Sequence, residues 1–133
     1  VNRLFIDTSA YSASTLGHTD VVYLLREAEQ IYVNAVVLGE LLAGFAAGNR
    51  RERNTNALHR FLDSPRIDIV DIDEETAERY AVIHSGLRAS GTLIPTNDIW
   101  IAASAMQYGL PLLTLDDHFT RIPQIVTVAL PER

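Results

Sequence analysis

The sequence predicts an α/β fold built on a parallel sheet covered on both faces. Three observations carry that expectation. Short apolar runs alternate with longer segments of helical spacing along the chain. The apolar runs lack polar alternation, as strands buried on both faces do. Two of these runs end at an aspartate, Asp7 and Asp116, and ligands in such sheets sit beyond the carboxyl ends of the strands.

Each element has its own local reason. Leu4-Phe5-Ile6 is a short apolar strand, and Asp7-Thr8-Ser9 after it is a helix-start signal. Asp20 to Ala28 reads as helix, and Gln30 to Val33 as a strand stopped by Asn34. Ala35 to Ala47 reads as helix, closed by Gly48-Asn49. Arg50 to Asp63 is an arginine-rich helix that Ser64-Pro65 ends. Ile67 to Val70 is a strand. Glu74 to Ala89 is a helix capped by Asp73 and terminated near Gly91. Thr92 to Thr96 is a loop, and Asn97 to Tyr108 a helix stopped by Gly109-Leu110-Pro111. Leu112 to Leu115 is a strand, Asp116 to Arg121 a helical turn, and Ile125 to Val128 a last short strand. No repeat, low-complexity segment or linker interrupts this order, so one domain over residues 1–133 is expected.

Composition removes several function classes. The chain has 133 residues, no cysteine and a net charge of −6. All 11 basic residues are arginine. Without cysteine there is no disulfide scaffold, no thiol catalysis and no Cys-ligated zinc. Without lysine there is no Walker-type phosphate loop and no Schiff-base chemistry. The acidity opposes non-specific binding to nucleic acid through a basic surface. No apolar run reaches the roughly 18 residues of a membrane span. The N-terminus shows no signal-peptide layout, so a cytoplasmic location is expected. His18, His59, His84 and His118 show no metal-ligand spacing.

Most of the 17 acids explain themselves. Asp71, Asp73, Glu74, Glu75 and Glu78 crowd a strand-to-helix junction, where the helix dipole favours acids. Four others border apolar segments. Glu40 is the only charge between Val33 and Gly48, on a helix that is apolar all round and is expected to be buried. A buried carboxylate costs several kcal/mol unless it is paired or metal-bound. Small residues at Ala43, Gly44 and Ala47 leave room beside it. Asp98 opens a segment with no other charge through Leu115 and shares a helix face with Ile101, Ala102 and Ala105. Asp7 and Asp116 end strands. Taken singly, Asp7 reads as an N-cap, Asp98 as a dipole partner, Asp116 as an Asx turn and Glu40 as the partner of an arginine. Taken together, carboxylates sharing one cleft repel each other unless hard cations neutralise them. Mg²⁺ or Mn²⁺ suits such an oxygen donor set. A divalent ion there lowers the pKa of bound water and stabilises charge on a phosphoryl oxygen. It also supplies local positive charge to an acidic protein handling a polyanion.

The residues in order are Asp7-Thr8-Ser9, Glu40-Leu41-Leu42-Ala43-Gly44, Asn97-Asp98-Ile99-Trp100-Ile101-Ala102-Ala103 and Leu113-Thr114-Leu115-Asp116-Asp117-His118-Phe119. This set resembles the PIN-domain ribonucleases, specifically the VapC-type toxins of prokaryotic toxin–antitoxin pairs. The likeness covers nearly the whole chain in order and spacing. It implies a three-layer α/β/α PIN-like fold around a central parallel sheet. It implies a Mg²⁺- or Mn²⁺-dependent endoribonuclease, often aimed at tRNA or ribosomal RNA. Asp7, Glu40, Asp98 and Asp116 fall on the family's four acidic positions, as catalytic and metal-binding residues. Asp117 stands beside the fourth as an alternative or a water-mediated ligand. Thr8, Ser9 and Thr114 match hydroxyl positions that support the metal shell. The resemblance further implies a homodimer and an antitoxin partner in the active-site groove.

Arg50, Arg51, Arg53 and Arg60 form the one basic stretch, with His59 nearby. Contact with RNA phosphates is one reading. A solvated helix face making i,i+4 pairs with Glu52 and its neighbours is the other, and the frequency of charged helix faces favours it. Trp100 and Tyr108 are expected in the core or at a dimer contact rather than as base-stacking platforms. Two rival functions share the acidic α/β pattern. A phospho-accepting receiver domain normally needs a lysine, which this chain lacks. A non-catalytic PIN-like binding module would have lost its metal site, whereas all four acids are present.

Overall fold

The computed structural model describes residues 2–131. Among them, four strands form one all-parallel sheet: β1 (Arg3–Ile6), β2 (Gln30–Asn34), β3 (Ile67–Val70) and β4 (Leu112–Leu113). Six helices connect and cover them: α1 (Thr8–Thr15), α2 (Thr19–Glu27), α3 (Ala35–Ala47), α4 (Arg51–Leu62), α5 (Glu74–Ala89) and α6 (Thr96–Gln107). A 3-10 turn, Asp117–Arg121, follows β4. The fold is the three-layer α/β/α arrangement around a parallel sheet.

The sheet order is β3-β2-β1-β4. Leu4 lies opposite Ile31, and Ile31 opposite Ile67, in register. On the other side of β1, Phe5 and Ile6 lie opposite Leu112 and Leu113. The chain therefore leaves β1 in one direction toward β2 and returns on its other side as β4. The strand order reverses at the carboxyl edge between β1 and β4, which is where parallel sheets place ligands. Asp7 follows β1 there, and its N–H donates to Leu113 O at 3.4 Å.

The strands β1, β2 and β4 are the apolar runs. Leu4, Phe5, Ile6, Ile31, Leu112 and Leu113 are fully buried. Burying each such side chain stabilises the fold by about 1.5–3 kcal/mol. β3 is the sheet edge, and Asp68 and Ile69 are exposed on it. Arg66, just before β3, donates from its guanidinium to Leu25 O at 3.0 Å and also to Ala28 O. It thereby satisfies carbonyls at the end of α2 that have no partner within the helix.

Strand-ending polar residues start the helices that carry the site. Asp7 caps α1 by accepting from Ala10 N–H at 2.9 Å. Asn34 caps α3 by accepting from Val36 and Val37 N–H, both at 3.1 Å. Its amide then donates to Ser104 Oγ of α6 at 2.9 Å. Asn34 is fully buried, and this two-ended use is what makes its burial tolerable. Asp73 and Thr76 form a reciprocal capping box at α5, as the acidic junction led one to expect. Gly91 adopts φ 70°, the left-handed conformation that ends α5 cheaply only with glycine.

Three expectations need correction. α3 is not buried all round: only Val37 and Leu41 are buried, and Leu42, Ala43, Gly44, Ala46 and Ala47 are exposed. A helix laid on the outside of a sheet buries one stripe, whatever the rest of its sequence. The last strand, expected over Ile125 to Val128, is a single bridge between Leu112 and Thr127. Leu112 N–H donates to Val126 O at 2.8 Å, and Val128 N–H donates to Leu112 O at 2.9 Å. β4 has only two residues, so it offers no template for a longer ladder. The strand expected over Leu112 to Leu115 ends at Leu113, whereas the helix start expected at Asp7-Thr8-Ser9 is borne out as α1.

Candidate metal centre and active site

Four acids meet at the carboxyl edge between β1 and β4. Asp7 comes from the end of β1, Glu40 from the second turn of α3 and Asp98 from the first turn of α6. Asp116 comes from the start of the 3-10 turn after β4. Asp116 is near enough to repel both Asp7 and Asp98, and Glu40 repels Asp98. Four chain segments, up to 109 residues apart in number, thus deliver their charges to one place.

Hydroxyls and amides hold each carboxylate. Asp7 is 3% exposed. Ser9 Oγ donates to its Oδ1 at 2.7 Å, and Thr114 Oγ1 donates to its Oδ2. The Ser9 oxygen in turn accepts from Leu115 N–H at 2.9 Å. The Thr114 oxygen accepts from Asp116 N–H at 3.0 Å, so one hydroxyl ties Asp7 to the Asp116 backbone. Glu40 accepts from Thr8 Oγ1 at 2.6 Å on Oε1 and from Asn97 Nδ2 at 3.4 Å on Oε2. Glu40 is half-buried and stands beside the open, small-residue face of α3. A Cβ built on Gly44 would meet nothing within 4 Å.

Asp98 and Asp116 share one partner. His118 Nδ1 lies 3.0 Å from Asp98 Oδ2 and 3.2 Å from Asp116 Oδ1. Asp116 also accepts from His118 N–H at 2.9 Å, an Asx turn that fixes its carboxylate. His118 is the residue that sequence reasoning missed. Its spacing from the other histidines carries no information; its place two residues after Asp116, within the closing motif, is the signal.

The electrostatics record the crowding. Burial pushes the carboxyl of Asp7 up from its ordinary value, with a further push from Asp116. Hydrogen bonds from Thr114, Ala10 N–H and Ser9 pull against that rise. Burial likewise raises Asp98, opposed by the hydrogen bond to His118 and reinforced by Asp116 and Glu40. Carboxylates held together against their own repulsion are the arrangement that a hard cation relieves.

The donor set fits such an ion. Asp98, Asp116 and His118 each offer a ligand atom, all within 4.8 Å of one another. Asp7 and Glu40 lie near this group, close enough that Asp116 acts on Asp7 and Glu40 on Asp98, but they are not within it. Asp117 does not join the cluster: it is exposed, and only its backbone carbonyl is engaged, by Thr120 Oγ1 at 2.7 Å.

Arg50, Arg51, Arg53 and Arg60 are exposed, as a solvated helix face requires, but the expected pairing is absent among the described residues. Glu52 forms no ion pair with its neighbours: among the described residues no carboxylate lies within 4.0 Å of Arg50, Arg51, Arg53 or Arg60. Trp100 is half-buried outside the core and packs on Tyr80 with ring centroids 4.2 Å apart, whereas Tyr108 is exposed.

Comparison with known proteins places this geometry. The PIN domain family matches residues 4–125. The chain is 33% identical to Ribonuclease VapC4 of Mycobacterium tuberculosis over 98 residues, 74% of this chain and 75% of that protein. It is 30% identical to Ribonuclease VapC of Rickettsia bellii, over 96% of each chain. A chain in the crystal structure of VapBC2 from Rickettsia felis, bound to a DNA fragment from the promoter, matches with a TM-score of 0.82 at 25% identity. That match covers 95% of this chain and 97% of the other. With its fold, its four ordered motifs and its convergent acids, the chain belongs to the PIN-domain family, among the VapC ribonucleases.

Proposed function

We propose that the protein is a divalent-metal-dependent endoribonuclease, the toxin of a toxin–antitoxin pair, working as a single nuclease domain. The observation that carries this is the meeting of Asp7, Glu40, Asp98 and Asp116 at the point where the strand order reverses. Asp7, Asp98 and Asp116, with Glu40, are the residues that would hold Mg²⁺ or Mn²⁺. A divalent ion in such a site polarises the phosphoryl oxygen and lowers the pKa of water.

The chain's own groups prepare that chemistry. Ser9, Thr114 and the Ala10 N–H fix the Asp7 carboxylate, so no rotation is needed when charge develops. His118 Nδ1 lies within hydrogen-bond distance of both Asp98 and Asp116 and so helps to set their separation. Thr8 and Asn97 hold Glu40 between α1 and α6. The small residues of α3 keep the approach to Glu40 open to a bulky substrate.

The partner reading rests on the family. Solved relatives include members of the VapBC family of toxin–antitoxin systems, which supports an antitoxin as the partner here. A homodimer and a cytoplasmic location complete the proposal. Among the described residues, no helix is long and apolar enough to cross a membrane.

The test is RNA cleavage by purified protein with Mg²⁺, with Mn²⁺ and with EDTA, beside Asp7→Asn and Asp98→Asn. Cleavage should appear with metal and vanish with chelator or with either substitution. Equal cleavage in all arms would mark a contaminant. No cleavage of tRNA or ribosomal RNA in any arm would turn the reading toward a binding module.

A further inference from the structure

We infer that the groove between α1 and α4 is a track for single-stranded RNA, leading to the acidic centre from its basic side. The choice of RNA rests on the ribonuclease reading above; the groove itself rests on the following geometry.

The groove has a volume of about 450 Å³. Ser12 and Thr15 of α1 form one wall, Phe45 of α3 the floor, and Arg50, Arg53 and Arg60 the other wall. The arginine wall is one helical stripe. Arg53, Ala57 and Arg60 follow each other at i, i+4 and i+7, and Arg50 stands one turn before them at the helix cap. Arg51 lies outside this groove, in an adjoining depression that Arg50, Arg53 and Glu52 also line. The hydroxyl wall is also one stripe: Thr8, Ser12 and Thr15 stand at i, i+4 and i+7 on α1.

That second stripe joins the groove to the acids. Thr8 is the residue whose hydroxyl holds Glu40. Ser12 stands only about 6 Å further along the α1 axis, at about 1.5 Å per residue. Phe45 follows Glu40 on α3 by little more than one turn. A strand bound at the carboxylates can therefore continue along α1 into the arginines without leaving the surface.

The charges are available for a ligand. No carboxylate lies within 4.0 Å of Arg50, Arg53 or Arg60 among the described residues, and no hydrogen bond to another group occupies them. From Gly48 to Leu62 the only acid is Glu52, which is not in the groove. In a protein of net charge −6, three arginines left without acids on one face constitute a local sink for polyanions. Guanidinium forks match phosphate oxygens, and the Ser12 and Thr15 hydroxyls are ordinary phosphate and ribose partners. Tyr11, which also lines the groove, meets Phe61 edge-on with centroids 5.1 Å apart.

The test is RNA binding without cleavage. A labelled single-stranded RNA longer than the ~16 nucleotides that a single-strand site covers is titrated in EDTA, between about 50 and 200 mM salt. Each phosphate contact contributes about 0.7 to the slope of log affinity against log salt for a single strand. Arg53→Ala and Arg60→Ala should each flatten the slope by about 0.7, and the variant lacking all three arginines by about 2. Arg53→Lys keeps the charge and should keep the slope. Arg88→Ala, at the far end of α5, should leave the slope unchanged and reports on any general loss of charge. Thermal melts of each variant separate binding from folding. An unchanged slope in the triple variant overturns the track. So does an oligoglutamate peptide whose binding needs the three arginines while RNA binding does not, since the groove is then a seat for an acidic protein segment. Cleavage with an unchanged slope overturns the groove alone. A groove-dependent slope with no cleavage in any metal overturns the ribonuclease reading alone.

Discussion

The Thr8 hydroxyl donates to Glu40 Oε1 at 2.6 Å, joining the first turn of α1 to the second turn of α3. Thr8 follows the Asp7 cap directly, so one helix start positions two of the four acids. Thr8→Val keeps the shape and removes the donor. Cleavage should fall by about 10- to 100-fold, the usual loss when a partner of a metal-site carboxylate is removed. Thr8→Ser keeps the donor and should retain most of the activity. Equal losses in the two variants in the cleavage assay would show that the methyl group, and not the hydrogen bond, matters.

Asp98 makes the metal-free protein pH-sensitive. Its carboxyl is raised in the fold, first by burial, so the folded state binds that proton more tightly than the unfolded state. Stability is therefore lost as pH rises from the ordinary value of 3.8 through the raised one, and the deficit persists above it. Asp98→Asn removes this deficit. In EDTA at neutral pH it should raise the melting temperature of the protein while abolishing cleavage, a trade common at functional sites. The gain should shrink as pH approaches 3.8. Thermal melts across that range decide the matter; a gain independent of pH would mean that Asp98 is not the source.

Metal should reverse the same deficit. Mg²⁺ or Mn²⁺ at 100 times its dissociation constant should stabilise the wild type by about 2.7 kcal/mol. Protons compete for the carboxylates, so the effect should weaken at lower pH. Asp98→Asn should lose most of it, and EDTA should abolish it. A melting temperature indifferent to both ions would argue against a metal site here.

His118 bridges Asp98 and Asp116. His118→Ala should weaken metal binding by about tenfold or more, because the two carboxylates lose the group that sets their separation. Calorimetric titration with Mn²⁺ measures this directly. Unaltered affinity would reduce His118 to a surface residue that happens to lie near.

Asn34 is a structural counterpart with no part in the chemistry. It caps α3 and donates to Ser104 from a fully buried position. Asn34→Ala should destabilise the protein by about 2–3 kcal/mol, from a lost cap and an unsatisfied buried hydroxyl. Denaturant unfolding reads the change. A loss below about 0.5 kcal/mol would mean that water replaces the amide without penalty.

Much of this was legible in the chain itself. Apolar runs that end at Asp7, Asn34 and Asp116 marked strands of a parallel sheet, because only strands buried on both faces omit polar alternation. Glu40 and Asp98 stood out because each is an isolated charge in an apolar segment. Local spacing also gave Ala35–Ala47, Ile67–Val70 and Glu74–Ala89 their observed limits. What local spacing does not contain is which side of an element meets the rest of the protein. α3 is apolar all round, yet it buries only the stripe at Val37 and Leu41, because the sheet presents a single face to it. The last segment meets β4 in a single bridge, between Leu112 and Thr127, a pairing across the fold that local spacing does not contain. The position of His118 between two aspartates, the exclusion of Asp117 and the unpaired state of the α4 arginines depend on distances across the fold. The sequence determined which residues carry charge and which elements bear them. Only the tertiary structure decided which charges meet, since repulsion and pairing act through space and not along the chain.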